Sequence, residues 1–304
     1  MMRVRSFRHT IIIPTKNRVD VLFQLLDSIE QLEAVDTIRP EIIVADNDSQ
    51  DDTYERITSK ARCFRAAIRA VKVTRPGKSA ALNDAAKAAT GDVLAFLDDD
   101  VIVDKTWLTA VESFFRDGEY RVGQGIIRLA APEQDDSEVL KLVERYRTIP
   151  QLEFKSNPKT YYSLNGANFF VEREVFDQVG GFDERLGPGA SGTSEDVDFA
   201  RRLARANIVI GYARGAIVYH RVDRARLTEE YFKESHWRQG ASRFLISNHG
   251  VAAITFDLLR AIAQYGYHTV CGQERYRYRS KGRIYHYLGM MEAKRKSTAV
   301  KKER

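Results

Sequence analysis

Thr10-Ile11-Ile12-Ile13-Pro14 is a short apolar, β-branched run stopped by proline, the pattern of a buried strand. Val19, Leu22, Phe23, Leu26, Ile29 and Leu32 then recur at helical spacing. Apolar runs return at Glu41 to Ala45, Ala67 to Val73 and Val93 to Leu97. Between the last two, an Ala-rich helix is predicted from Ala80 to Ala89, with Gly91 as its C-terminal stop. Strands alternating with helices predict right-handed βαβ units and a parallel sheet covered on both faces. Two of the strands run into acidic clusters, Asp46 to Asp52 and Asp98 to Asp100. Such carboxyl ends are where open α/β sheets bind ligands. Further along, Gln124 to Arg128 reads as a strand, and the polar stretch 131–163 as containing a mobile loop. Gly166 to Val171 and Ile208 to Tyr219 bracket a helix starting near Ser194, and helical spacing dominates from Leu227 onward.

The chain has 304 residues, 43% hydrophobic and 30% charged, which excludes a disordered or collagen-like polymer. Its formal charge of +6 is unevenly spread. Residues 275–304 hold 11 Lys+Arg against 2 Glu, whereas the other 274 residues carry 37 basic and 40 acidic side chains. A mildly acidic body argues against nucleic acid as the partner. Cys63 and Cys271 stand in no metal-binding or disulfide pattern and fit thiols in a reducing compartment. The basic N-terminus is followed only by Ile11 to Ile13 before Pro14, too short for a signal peptide. No 18-residue run is free of charge. The expected location is cytoplasmic, with a peripheral position on the inner face of the plasma membrane open through the basic tail.

Asp98-Asp99-Asp100 contains an Asp-x-Asp, which can hold a divalent cation between carboxylates and phosphate oxygens. Asp46/Asp48 and Asp196/Asp198 repeat the spacing, so position must discriminate, and Asp98/Asp100 directly follows a buried strand. The order of landmarks is more specific. Strands end at Pro14-Thr15-Lys16-Asn17-Arg18 and at Asp46; Gly77 to Asn83, Gly91-Asp92 and Asp98 to Asp100 follow. Then come Asn165-Gly166-Ala167-Asn168, Gly180-Gly181-Phe182-Asp183-Glu184, Ser194-Glu195-Asp196 and Tyr219-His220. Over about residues 10 to 222 this succession resembles the family 2 glycosyltransferases, which have the GT-A fold.

The resemblance implies an α/β GT-A domain over residues 1–222, with a nucleotide-sugar half at about 10–104 and an acceptor half at 105–222. Residues 223–304 would form a helical C-terminal extension with a basic tail. By the same resemblance Pro14, Thr15, Asn17, Asp46, Asn83, Asp98 and Asp99 bind the nucleotide, Asp46 accepting the imino N–H of a uracil or thymine ring. Asp100 and His220 hold Mn²⁺ or Mg²⁺, Asp196 is the catalytic base, and Gly166, Asn168 and Glu195 meet the acceptor. Lys78 is a further donor-side candidate, or a solvated surface lysine. Asp196 opens a helix, and the positive end of the helix is expected to keep it ionised.

The implied reaction is metal-dependent, inverting transfer of a sugar from UDP or dTDP to a carbohydrate or lipid-linked sugar acceptor, in bacterial cell-surface polysaccharide or glycolipid synthesis. Processive members carry membrane spans and Gln-x-x-Arg-Trp; this chain has only Trp237-Arg238-Gln239-Gly240, so one sugar or a few would be moved. A sugar-nucleotidyltransferase is the rival enzyme, but the first strand is followed by no glycine-rich phosphate loop. A non-catalytic carbohydrate-binding protein would tolerate loss of the carboxylates, which are all present. In the tail, Val251, Ile254, Leu258, Ile262 and Tyr265 share a helical face that either packs on the body or, with the basic residues beyond it, meets an anionic membrane.

Overall fold

A computed structural model describes residues 6–131, 135–156, 158–247 and 249–302. The strands are β1 (His9–Thr15), β2 (Glu41–Asp46), β3 (Ala67–Lys72), β4 (Val93–Leu97), β5 (Val101–Val103), β6 (Val122–Leu129), β7 (Thr160–Tyr161), β8 (Asn168–Glu172) and β9 (Ile210–His220). The helices are α1 (Val19–Glu30), α2 (Val35–Ile38), α3 (Thr53–Lys60), α4 (Lys78–Ala88), α5 (Trp107–Arg116), α6 (Ser137–Tyr146), α7 (Arg173–Val179), α8 (Glu195–Arg205), α9 (Glu229–Ile246), α10 (Val251–Val270) and α11 (Glu274–Lys302).

One sheet runs in the order β3-β2-β1-β4-β8-β6-β9-β5, with β7 added on β9. The first four strands are mutually parallel, and β8 joins β4 antiparallel. Sandwiched between helices, β1, β2 and β4 bury both faces, which is why their sequences are continuously apolar rather than alternating. Ile11, Ile13, Ile42 and Val44 point to one core; Ile12, Ile43, Leu94 and Phe96 point to the other. The four parallel strands therefore end together on one edge, and that edge carries the acidic residues.

Two expectations change here. Gly91 does not stop α4, whose C-cap is Ala89. Gly91 is small because β1 passes it: a Cβ there would lie 2.6 Å from the Thr10 backbone nitrogen. The polar stretch read as a loop contains α6, capped by the Asp136 carboxylate on the N–H groups of Glu138 and Val139. Val139, Val143 and Tyr146 form its buried face. Residues 132–134 and 157 of that stretch lie outside the described residues.

The chain resolves into two compact units. The first comprises Met1–Ala131, Pro150–Glu184 and Glu195–Arg221, and contains the sheet. The second comprises Pro132–Ile149, Arg185–Ser194 and Val222–Arg304, and is helical. In the second, the basic segment is no loose tail. α11 packs on α9 at glycine contacts; a Cβ on Gly240 would lie 1.9 Å from the His286 carbonyl oxygen. Several of its charges are spent internally: Lys281 on Glu229, Lys294 Nζ on the His249 carbonyl at 2.8 Å, Lys296 on Glu292 at 2.8 Å. On α10 the buried residues are Ile254 and Ala261, while Val251 and Ile262 are exposed, so the expected face is rotated. Phe256, Leu259, Tyr267 and Val270 form an outward apolar stripe instead. Among the described residues, no helix is long and apolar enough to cross a membrane.

Candidate active site

The parallel pairing of β1 with β2 sets Pro14 beside Ala45 and Thr15 beside Asp46. Beyond the strands the loops are laced together. Asn17, in the left-handed region at φ 53°, donates its N–H to Ser49 Oγ at 2.9 Å and accepts from the Gln50 N–H at 2.6 Å. Asn47 donates its side-chain amide to the carbonyls of Val73 and Arg75 and accepts from the Gly77 N–H at 2.9 Å. Asn47 thus ties the ends of β2 and β3 to the start of α4, a role one asparagine in an acidic run did not announce. Asp46 is buried. Its Oδ1 accepts from the Ser49 N–H at 3.0 Å, and its Oδ2 is buried with no hydrogen-bond partner. Leaving such an acceptor unpaired is costly, so a donor belongs there.

The three aspartates after β4 diverge. Asp98 pairs with Lys78, which also lies 3.3 Å from Glu195 Oε1. Lys78 is therefore not a solvated surface lysine. Burial works against its charge, but Asp98 and Glu195 outweigh that and hold its pKa well above the usual lysine value. Asp99 turns inward, one oxygen accepting from Thr15 Oγ1 at 2.8 Å and the other from Arg18 Nη1 at 2.7 Å. Its expected nucleotide contact gives way to an internal anchor; burial pushes its pKa to about 6 despite Arg18. Asp100 receives the other branch of the Arg18 fork at 3.1 Å and faces His220 Nε2 at 3.3 Å. Arg18 was invisible as a site residue, because its partners lie 81 and 82 positions away.

His220 arrives opposite Val101 through the antiparallel β5–β9 pair, and is 1% exposed. Its Nδ1 lies 2.7 Å from the Arg221 carbonyl, which can only accept, so Nδ1 carries the proton. Nε2 is buried without a hydrogen-bond partner and lies 3.3 Å from an Asp100 carboxylate oxygen. A ring nitrogen and a carboxylate oxygen are both metal-donor atoms. Among the described residues, no three His, Cys, Asp or Glu side chains gather where they could hold a metal ion. The pair Asp100 and His220 fits an open site completed by other oxygens, not a structural metal.

Asp196 opens α8 and comes back onto the chain before β8. Its Oδ2 accepts from the Gly166 N–H at 2.9 Å and its Oδ1 from the Val197 N–H at 2.7 Å. A Cβ added to Gly166 would sit 3.0 Å from Lys78 Nζ, 3.8 Å from Asp196 Oδ2 and 3.9 Å from Asp98 Oδ1. Residues 68 and 98 positions apart from one another's motifs thus border one small space. The helix end does not keep Asp196 fully ionised as expected. Burial and the neighbouring Glu195 carboxylate push its pKa up to about 7, against the pull of Lys78 and the two amides. Glu195 is itself buried and turned toward Lys78.

Two expected contacts are structural. Asn168 is fully buried: its amide donates to the carbonyls of Ile126 and Ala216, and its Oδ1 accepts from Trp107 Nε1 at 2.9 Å. It satisfies carbonyls beside the irregular β6–β9 register after Gly125 and has nothing left for an acceptor. Asn83 donates to the Phe182 carbonyl and Glu184, and accepts from the Phe182 N–H at 2.8 Å. It clamps the Gly-Gly-Phe-Asp-Glu segment, its amide engaged within the chain.

With this geometry in view, the chain can be compared with known proteins. The profile described as Glycosyl transferase family 2 matches residues 10–180, more than half the chain. Glycosyltransferase AglE of Haloferax volcanii is 25% identical over 212 residues, covering 69% of this chain and 66% of that protein. The O-antigen biosynthesis protein RfbC of Myxococcus xanthus is 28% identical over 69% of this chain but only 17% of its own length. The chain thus spans less than two thirds of the length of these relatives. Among solved structures, mannosyltransferase PcManGT from Pyrobaculum calidifontis, in complex with GDP-Man and Mn²⁺, superposes with a TM-score of 0.64 at 18% identity, covering 95% of this chain and 87% of that one. Staphylococcus aureus TarS with UDP-GlcNAc gives 0.56 at 20% identity over 81% of this chain and 69% of that one. The fold is that of the GT-A glycosyltransferases.

Proposed function

This chain belongs to glycosyl transferase family 2, and we propose that it transfers a sugar from UDP or dTDP to an acceptor hydroxyl with inversion at the anomeric carbon. The observation that carries the reading is the convergence of Asp98, Lys78, Glu195 and Asp196 around the Gly166 backbone. The donor base lies against Asp46, whose unpaired Oδ2 accepts the ring imino N–H; cytosine, lacking that donor, is refused. Pro14, Thr15 and Asn17 border that pocket, and Asp98 reaches the ribose. Asp100 and His220 would hold Mn²⁺ or Mg²⁺. A bound divalent ion supplies positive charge to the diphosphate as it departs.

Asp196 takes the proton of the acceptor hydroxyl while that oxygen bonds to the anomeric carbon from the face opposite the diphosphate. The bond from that carbon to the diphosphate oxygen breaks, and the electron pair leaves with the nucleotide. A base with a pKa near 7 suits this work, since close to half of it is free of its proton at neutral pH and it is strong enough to take one. Lys78 holds Asp98 and Glu195 in place and keeps three carboxylates from repelling one another. Lipid-linked or carbohydrate acceptors for surface polysaccharide or glycolipid fit the relatives' names, AglE being a glycosyltransferase and RfbC an O-antigen biosynthesis protein.

The pH profile tests the assignment. kcat/KM should rise with pH along a limb of unit slope and level off above about 7, the value of Asp196. A flat profile between pH 5 and 8, on the order of a thousandfold in proton concentration, would remove Asp196 as the base.

We also propose that the helical unit meets an anionic membrane surface peripherally. The outward Phe256, Leu259, Tyr267 and Val270 of α10 present an apolar face, and the arginines of α11 supply positive charge, Arg260 being paired with Asp257 at 2.9 Å. The pairing of Lys281, Lys294 and Lys296 within the unit shifts the weight from tail charge to this stripe. Phe256→Glu with Leu259→Glu should abolish co-sedimentation with anionic vesicles. Undiminished sedimentation of that variant would exclude the stripe.

A further inference from the structure

The helical unit holds a second concave site that sugar transfer does not use. A cavity of about 520 Å³ lies among α6, α9 and α11. Its apolar wall is aromatic: Phe232 and Tyr146 pack with ring centroids 5.7 Å apart, and Tyr278 closes on both. Beside that wall, Gly282 lets α11 approach so closely that a Cβ would lie 2.5 Å from the His236 ring. Four arginines border the opening, Arg145, Arg147, Arg279 and Arg283.

The cavity gathers unbalanced positive charge in one place. Arg145 pairs with Glu274 at 2.8 Å, yet its Nε is buried without a hydrogen-bond partner. Arg283 donates to Gln264 Oε1 at 3.1 Å, a neutral partner. Among the described residues, no carboxylate pairs with Arg147, Arg279 or Arg283. The remaining neighbours do not compensate. His236 and His286 also line the cavity, and burial lowers both, His286 to about 4, with His236 and Arg243 adding to the effect. Three guanidinium groups around one concavity therefore lack an anion. Several other basic groups of this unit have a carboxylate: Lys281 has Glu229, Arg275 has Glu144 and Lys296 has Glu292.

We propose that this cavity binds a phosphate-bearing ligand, a mono- or diphosphate group seated between Arg147, Arg279 and Arg283. The planar fork of an arginine matches two oxygens of such a group, and a single carboxylate could engage only one of the three. Tyr278 and Gln239, at the same cavity, supply neutral hydrogen-bonding groups for the remaining oxygens and the ester substituent. The group can come from a soluble phosphate ester or from a phospholipid headgroup, and the chemistry of capture is the same for both.

Calorimetry on the full chain, with pyrophosphate as the probe and a chelator present, separates this site from the nucleotide site. The wild type should bind pyrophosphate with an affinity that falls as salt is raised. Arg147→Gln with Arg279→Gln should weaken it at least about tenfold while leaving thermal stability unchanged, since both side chains are exposed. Asp100→Asn, altered at the catalytic edge, should bind pyrophosphate as the wild type does. Glycerol 3-phosphate and monomeric dihexanoyl phosphatidic acid, compared as competitors, identify the source: the one that displaces pyrophosphate at lower concentration carries the preferred substituent. Equal pyrophosphate affinity in the double arginine variant, or loss of binding in Asp100→Asn, would overturn the proposal. No measurable binding of any phosphate probe by the wild type would overturn it too.

Discussion

Asp196→Asn is expected to lower the rate of sugar transfer by about two to four orders of magnitude while leaving donor affinity near its wild-type value. Asparagine keeps the shape, but its single amide oxygen can accept from only one of the Gly166 and Val197 N–H groups, which bond separate oxygens of Asp196, so one hydrogen bond is lost while the surrounding site is retained. What is lost is basicity. The pH limb near 7 should vanish with it, because the group that titrates is gone. A second readout has a fixed sign. The folded pKa lies above the ordinary carboxylate value, so the folded chain holds that proton more tightly than the unfolded chain does. The associated stability is present at low pH and is lost as pH rises from about 4 through about 7. Asp196→Asn should therefore raise the melting temperature more at pH 8 than at pH 5. Near-normal turnover in this variant would move the base to Glu195 or Asp198. Asp198 is the weaker substitute, since it is paired with Arg202 at 2.8 Å.

Asp100→Asn should abolish the dependence of donor binding on Mn²⁺ and reduce turnover on the order of a hundredfold or more. The reasoning rests on His220. Its Nε2 and the Asp100 carboxylate stand 3.3 Å apart, two donor atoms of the kinds that ligate a divalent ion. Removing the carboxylate charge leaves the ion one neutral ring nitrogen. Arg18 should then keep its hold on Asp99, so the edge of the sheet stays in place and the variant stays folded. Calorimetry with a nucleoside diphosphate, with and without Mn²⁺, reads this directly. Equal metal enhancement in the wild type and in Asp100→Asn would take Asp100 out of the metal site.

The two outcomes rest on residues whose legibility in the sequence differed. The strands β1, β2 and β4 were readable because a parallel sheet buried on both faces demands unbroken apolar runs. Asp46, Asp98 and Asp196 were readable because each stands at the end of a strand or the start of a helix. α6 was passed over as polar, although Asp136 followed by Val139, Val143 and Tyr146 carries a cap and a helical face. The chemistry of Asn83 and Asn168 was legible and their direction was not. An asparagine amide serves a ligand or an internal carbonyl equally well, and only the close passage of β6, β8 and β9 decides for Asn168. Arg18 and Lys78 form pairs with no local signature. The pairing within the basic C-terminal segment was hidden from composition, since its net charge does not say how much is neutralised by partners such as Glu229. The upward shift of Asp196 was equally hidden, because a helix N-terminus argues for ionisation and burial argues against it, and only coordinates weigh the two.

The central claim is that Asp46, Asp98, Lys78, Glu195 and Asp196 together define a sugar-transfer site for a uracil or thymine nucleotide. Its most direct test measures the free nucleoside diphosphate released from UDP-, dTDP- and GDP-sugars with Mn²⁺, in the wild type and in Asp196→Asn. Release from a UDP- or dTDP-sugar by the wild type, with GDP-sugars poor and Asp196→Asn nearly inert, is the predicted result. Preference for a GDP-sugar, or equal release by the two proteins, would contradict it.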